Sequence, residues 1–218
     1  MSTTLATLRH GAIELALHLL KEGEGRPLLV LHGLGERSPE ELPAQYASWP
    51  GAVHALDFTG HGSSTVPAGG GYTAEILMGD ADTALAELGQ ATVVGRGLGA
   101  YVALLLAGAR PEDVRGAIVL DGPGLAGGGS TPSSPSVATV DPTAPAPPDP
   151  WALVELTRDP RPPDYATTFV RQAVSFSGLD RPLAVCAIGR PAWVDAVLHE
   201  PGVAETDLAA ALTLYASV

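Results

Sequence analysis

Apolar positions along the chain follow two alternating rhythms. Short continuous runs at residues 28–32 (LLVLH), 52–57 (AVHALD), 92–94, 117–120 (AIVL) and 183–188 (LAVCAI) lack a polar face, the pattern of strands buried on both sides. Between them the spacing changes to three and four. Ile76, Leu77, Ala81, Ala84, Leu85 and Leu88 predict a helix over 73–88 with one buried face and Thr73 as its cap. The run 100–109 (AYVALLLAGA) predicts another, and 207–216 a closing helix. A helix is also predicted from Ser38 to near Trp49, because Ser38 supplies a cap, Pro39 suits the first turn, and Glu40 and Glu41 oppose the dipole. Residues 3–22, two β-prone stretches around His10 and Gly11, predict an opening hairpin. Strands alternating with helices at this spacing imply an α/β fold, a mostly parallel twisted sheet with helices on both faces.

That pattern stops at residue 122. Of the 29 positions 122–150, 24 are Gly, Ala, Ser, Thr or Pro, which leaves little to bury and predicts an extended or flexible insertion. Two helices are expected after it, 151–157 and 164–176, the second capped by Asp164 with Tyr165, Phe169 and Val170 on one side. Together these make a reduced lid over 122–180. Residues 1–121 and 181–218 then supply the two parts of one core, and 218 residues fit a single domain.

Composition narrows the function. Hydrophobic residues make up 45% and aromatics 5%, so Ala, Val and Leu must fill the core. A net charge of -12 disfavours nucleic acid and anionic membranes, which are bound through clustered Lys and Arg. The single Cys186 has no disulfide partner, and no histidine or cysteine spacing predicts a metal or cofactor site. The N-terminus lacks a signal-peptide pattern and no apolar run is long enough to span a bilayer, so a soluble cytoplasmic protein is expected.

Three glycine-rich turns, each directly after an apolar run, carry the chemistry: His32-Gly33-Leu34, residues 57–64 (DFTGHGSS) and residues 95–99 (GRGLG). In this order and spacing they resemble the α/β-hydrolase superfamily, in its esterase and epoxide-hydrolase-like branch. The resemblance implies the α/β-hydrolase fold and an oxyanion hole built from the backbone N–H groups of Leu34 and Leu98. Two amides aimed at one point stabilise a negative oxygen, and losing one such donor costs roughly 3 kcal/mol of transition-state stabilisation. The second turn matches D-x-x-G-H-G-x-S, where Asp57 and His61 are read as scaffold. The third matches the nucleophile elbow G-x-S-x-G at its flanking glycines, with Gly97 where the family has serine.

The rest of the family's triad is equally thin. Its acid usually follows the strand equivalent to 183–188, where this chain reads Gly189-Arg190-Pro191-Ala192; Asp121, after the preceding strand, is the alternative, and Asp195 lies further on. Its histidine usually precedes the closing helix, and His199 is the candidate. The spacing from Gly189 is read as too short for both a helix and a strand, so either the helix between the last strands is deleted, or 191–198 is itself a helix with His199 exposed at its end. His32, Gly33, Arg96, Trp151 and Phe169 are expected to line a pocket, with Arg96 free to bind a carboxylate or phosphate or to join a surface ion pair. Cys186, inside an apolar run, is a poor substitute nucleophile. The expectation is a degenerate homologue that binds a small molecule or a partner protein. The alternative is a hydrolase or lyase working through the two amides and a histidine without a serine.

Overall fold

In the computed structural model, which describes residues 4–127 and 148–217, strand β1 (Thr4–His10) turns back at Gly11 into β2 (Ile13–Leu31). The two pair antiparallel from Thr4 opposite Leu19 to His10 opposite Ile13, which is the predicted hairpin. β2 runs for 19 residues because two strands are joined through extended backbone. β3 (Gly51–Leu56) lies between its halves. Leu17, His18 and Leu19 pair with Leu56, Ala55 and His54 in descending, antiparallel order, whereas Leu28 to Leu31 pair with Val53 to Leu56 in ascending, parallel order. Backbones meet closely at the fold-back: a Cβ on Gly51 would stand 1.9 Å from the Arg26 carbonyl oxygen.

Beyond this point the sheet is parallel. β4 (Ala91–Arg96) joins the second half of β2, followed in space by β5 (Val114–Leu120), β6 (Leu183–Val185) and β7 (Val203–Glu205). Residues that follow these strands therefore collect at one edge of the sheet, and residues that precede them at the other. The helices are α1 (Ala74–Leu88), α2 (Leu98–Ala109), α3 (Pro150–Arg158), α4 (Pro163–Phe176), α5 (Ala192–Leu198) and α6 (Leu208–Ala216). Residues Leu29, Leu31, Val93 and Val119 meet α1, α2, α4 and α5 on one face. Leu28, Val30, Val94 and Ile118 meet Tyr46, Trp49 and α6 on the other. Such alternation is what a sheet covered on both faces requires. α2 is buried from Leu98 to Gly108, which explains why its sequence carries no polar stripe.

Thr73 caps α1 by accepting from the Ile76 amide, as the sequence predicts, and Asp207, expected as the first residue of the closing helix, is its cap. Ile76 itself is exposed. Three expectations need correction. The helix predicted over 38–49 is only a 3₁₀ turn, Ala44–Tyr46. Asp57 holds the Ser38 amide, the Ser38 hydroxyl caps nothing, and Pro43 withholds a donor that a helix would need. The span after Gly189 holds both a helix and a strand, since α5 needs only seven residues and β7 only three. Finally, α4 packs on α2 through Ala166, Val170 and Ala173 as part of the core layer, and it follows Pro162 with Asp164 already inside its first turn. Most of the predicted insertion, residues 128–147, lies outside the described residues.

Gly51→Ala puts a methyl group against immovable backbone, so it is expected to destabilise the fold by about 3 kcal/mol, at the upper end for overpacking. A urea midpoint equal to that of the parent chain would show that the fold-back is looser than drawn.

Candidate active site

The sharpest bend in the sheet lies where β4 passes into α2. Gly97 makes the turn with φ 59° and ψ -119°, a region that costs a residue with a side chain on the order of 1 to 3 kcal/mol. Its amide donates to the Leu120 carbonyl at 3.0 Å, which fixes the bend against β5. A Cβ at Gly95 would lie 2.0 Å from the Gly99 carbonyl oxygen, so the turn also needs a glycine at its entry.

Two backbone amides converge beside this bend. Leu34 N–H, from the turn after β2, and Leu98 N–H, the first of α2, both donate to one oxygen, at 3.0 and 2.9 Å. That oxygen is the main-chain carbonyl of Pro123, in the loop after β5. The loop is anchored two residues beyond the contact. Leu125 is fully buried and its carbonyl accepts from the Trp193 indole of α5 at 2.7 Å. Gly97 and Pro123 are sterically linked as well: a Cβ on Gly97 would lie 2.0 Å from the same Pro123 oxygen. Sequence reasoning located the amides but not their acceptor, because nothing in Gly122-Pro123-Gly124 beyond a turn signal says where the carbonyl points.

Beneath the amides, two buried histidines exchange hydrogen bonds between neighbouring turns. His32 Nε2 accepts from Phe58 N–H at 3.1 Å and its Nδ1 donates to the Gly33 carbonyl at 2.8 Å. His61 Nε2 accepts from Gly35 N–H at 3.3 Å and its Nδ1 donates to the Thr59 carbonyl at 3.0 Å. Both rings are thus neutral, with the proton on Nδ1 assigned from the partners. Burial lowers the pKa of each, and for His61, with His32 adjacent, it falls to about 3. Burial alone would raise the Asp57 carboxyl. Hydrogen bonds from His18, Ser63 N–H and Ser38 N–H, with His32 nearby, instead hold it well below the usual carboxylate range.

The other predicted site residues scatter. His199 precedes β7, whereas Gly97 follows β4, so the parallel sheet places them at opposite edges. The His199 ring donates to the Asp195 carbonyl at the end of α5 and is exposed. The junction ahead of α6 is Thr206-Asp207, with Asp207 occupied as a helix cap. Asp121 is exposed and accepts from the amides of Ile188 and Gly189, tying the loops after β5 and β6. Burial pushes the Cys186 thiol up to about 11. Arg96 pairs with Glu36, which also accepts from Gly33 N–H at 2.9 Å. A cavity of about 540 Å³ lies on this side of the bend, lined by His32 and Arg96 but not by Gly33, Trp151 or Phe169. Trp151 is exposed on α3, and Phe169 is spent on α2, its backbone against Gly108. Among the described residues, no three His, Cys, Asp or Glu side chains gather as a metal site, and no helix is long and apolar enough to cross a membrane.

Compared with models of known families, the chain matches the one described as the alpha/beta hydrolase family over residues 28–217. It is 30% identical over 111 residues to an (E)-2-((N-methylformamido)methylene)succinate hydrolase of Acinetobacter baylyi, covering 48% of this chain and 41% of that one. It is 35% identical over 114 residues to a 2-hydroxymuconate semialdehyde hydrolase of Pseudomonas putida, covering 50% and 40%. The chain thus spans about two-fifths of the length of these curated relatives. Among solved structures, the thioesterase domain from the curacin biosynthetic pathway aligns over 100% of this chain and 99% of that one, with TM-score 0.61 and 15% identity, a likeness of fold.

The buried histidines make stability depend on pH. Their folded pKa values lie below the ordinary 6.5, so the unfolded chain takes up protons first and stability falls as pH drops from 6.5 towards about 3. The depressed Asp57 adds a further loss below about pH 4. His61→Gln is expected to remove about one proton from the upper part of this dependence, roughly 1.4 kcal/mol per pH unit, read as unfolding free energy against pH. An unchanged slope would show that His61 titrates normally in the fold.

Proposed function

The chain belongs to the α/β-hydrolase family, and from that premise we propose that it is a non-catalytic member whose reaction centre serves as an internal staple, and that it works by binding a small molecule or partner. The observation that carries this reading is the Pro123 carbonyl. By resemblance, Leu34 and Leu98 supply the amides of the family's oxyanion hole, and here both already donate to the chain's own backbone. A substrate carbonyl would have to displace that oxygen and replace both hydrogen bonds.

The missing side chain points the same way. At the family's nucleophile position Gly97 offers no hydroxyl, and its bareness is what leaves room for Pro123. General-base catalysis needs a basic side chain, most often an imidazole or a carboxylate, within hydrogen-bond reach of the group it activates. His32 and His61 have both nitrogens engaged, His10 and His18 are paired with Asp80 and Asp57, His54 lies within β3, His199 sits at the far edge of the sheet, and Glu36 is held by Arg96 and the Gly33 amide. The two curated relatives carry hydrolase names, and a hydrolytic or lyase reaction here would require Pro123 to withdraw and a base to arrive from elsewhere.

The parent chain is expected to give no turnover of short nitrophenyl esters and no labelling by a fluorophosphonate. Gly97→Ser should also stay inert. It should lose stability by about 2 to 4 kcal/mol, since the strained turn and the collision with Pro123 act together. A Gly97→Ser protein that is stable and hydrolyses esters would overturn the reading.

A further inference from the structure

We infer that the cavity beside the bend binds a small carboxylic acid in its ionised form, with Arg96 receiving the carboxylate and a compact apolar body filling the space behind it. The inference deepens the binding role proposed above and rests on it. The cavity measures about 540 Å³, within the range of small-molecule sites. Neither Gly97 nor the two amides on Pro123 belong to its wall, so its occupant would lie beside the sealed bend, not in it.

Arg96, the last residue of β4, is part of this wall. Its Nη1 donates to Glu36 Oε1, and Glu36 Oε2 accepts from Gly33 N–H at 2.9 Å. The guanidinium is thus held from one side by a carboxylate that is itself fixed to the backbone. A guanidinium carries five donors in a planar fork that matches a carboxylate, and Glu36 engages one of its nitrogens. Among the described residues, Nε and Nη2 meet no protein acceptor. A ligand carboxylate can therefore join Arg96 without displacing Glu36.

Net charge selects nothing here, because Arg96 and Arg37 on the wall are balanced by Glu36 and Glu40 and all four reach solvent. The selection comes from hydrogen-bonding capacity. Both oxygens of Glu36 are engaged, and Glu40 pairs with Arg37 while 76% of its side chain is in solvent, so an ammonium group finds no prepared acceptor. An anion finds the open edge of Arg96. The Tyr46 hydroxyl, with Gln45 beside it, lies within electrostatic reach of the same guanidinium. Val30, Leu31, Pro39, Pro43 and the buried ring of Tyr46 make the rest of the wall largely apolar, which suits a compact hydrocarbon body.

Three ligands with one hydrocarbon cage and different heads test this: adamantanecarboxylate, adamantanol and adamantylammonium, titrated into the full chain by calorimetry at low ionic strength. Saturable binding is expected to be tightest for the carboxylate, by about tenfold, and to weaken with added salt. Arg96→Met should bring the carboxylate down to the level of the alcohol, with the thermal midpoint almost unchanged because the Arg96–Glu36 pair is largely in solvent. Arg96→Lys, which keeps the charge without the fork, should fall between the two. Glu36→Gln, which retains an acceptor for Gly33 N–H but releases Arg96, should tighten carboxylate binding, a gain that a purely structural role for the pair would not give. Absence of carboxylate binding, equal or tighter binding of the alcohol or the ammonium, or full affinity in Arg96→Met would each overturn the inference. Ester turnover measured in the same samples separates the two claims: turnover sinks the non-catalytic reading, whereas an inert protein that ignores adamantanecarboxylate sinks only the ligand assignment.

Discussion

The carbonyl oxygen of Pro123 meets an obligation created by the sheet itself. A parallel strand that bends sharply into a helix leaves the first helical amides without intrahelical partners, and here one of them, Leu98, points to the same place as Leu34 from the neighbouring turn. Buried amides without acceptors are costly, so something must fill that place: water, a ligand or the chain. In this chain the loop after β5 does so, and Leu125 beneath it and Trp193 behind it keep it there. One oxygen thereby ties together the ends of β2, β4 and β5 and, through Trp193, α5. Its position depends on the absence of a single carbon atom at residue 97.

A second layer of hydrogen bonds holds this arrangement from below. His32 and His61 each accept from an amide in the other's turn, so neither turn can shift without orphaning a buried N–H. Asp57 gathers Ser38, Ser63 and His18, and the Ser64 hydroxyl joins Asp57 to Ala16 on the hairpin. Apart from the exposed Ser63, the polar side chains of DFTGHGSS are thus spent inward. This also shapes the cavity. Asp57 fixes the Ser38 backbone and Pro43 breaks any helix begun there, so residues 38–43 form no helix ahead of a single 3₁₀ turn, with one hydroxyl unspent.

What could be read in the sequence was what local pattern decides. Continuous apolar runs gave the parallel strands, because only a strand covered on both faces can lack polar positions, and 3.6-residue spacing gave α1. The glycines of GRGLG marked the elbow, since close approach and positive φ leave a signature in residue type. Ser38 misled because a cap followed by Pro39 and two acids reads as a helix start, whereas Pro43, five residues on, lacks the donor a helix needs and clashes with the turn before it. Of the two readings of residues 191–198, the helix with His199 exposed at its end is the one the fold adopts; what local pattern hid was that a three-residue strand, β7, follows within the same span. The Pro123 contact left no trace in the sequence. It is a backbone atom, reached over a separation of about ninety residues from Leu34, and residue identity says little about where a carbonyl points.

The linkage between Gly97 and Pro123 also bears on how a centre of this kind would be lost and stay lost. With a side chain at residue 97, the strained turn persists only while the surrounding structure holds it, and the open amides need water or a ligand as acceptor. Removing the side chain relieves the strain at once and opens the space in which the loop carbonyl can settle. Once it has settled, two hydrogen bonds and the burial of Leu125 favour the closed arrangement. Restoring a side chain would then break those hydrogen bonds, displace the anchor and bring back the strain together. The first step is easy in one direction and the later ones make its reversal progressively harder. Under the proposed reading, a sealed centre is therefore the stable end of the sequence of changes, and selection can act on the neighbouring cavity without reopening the bend.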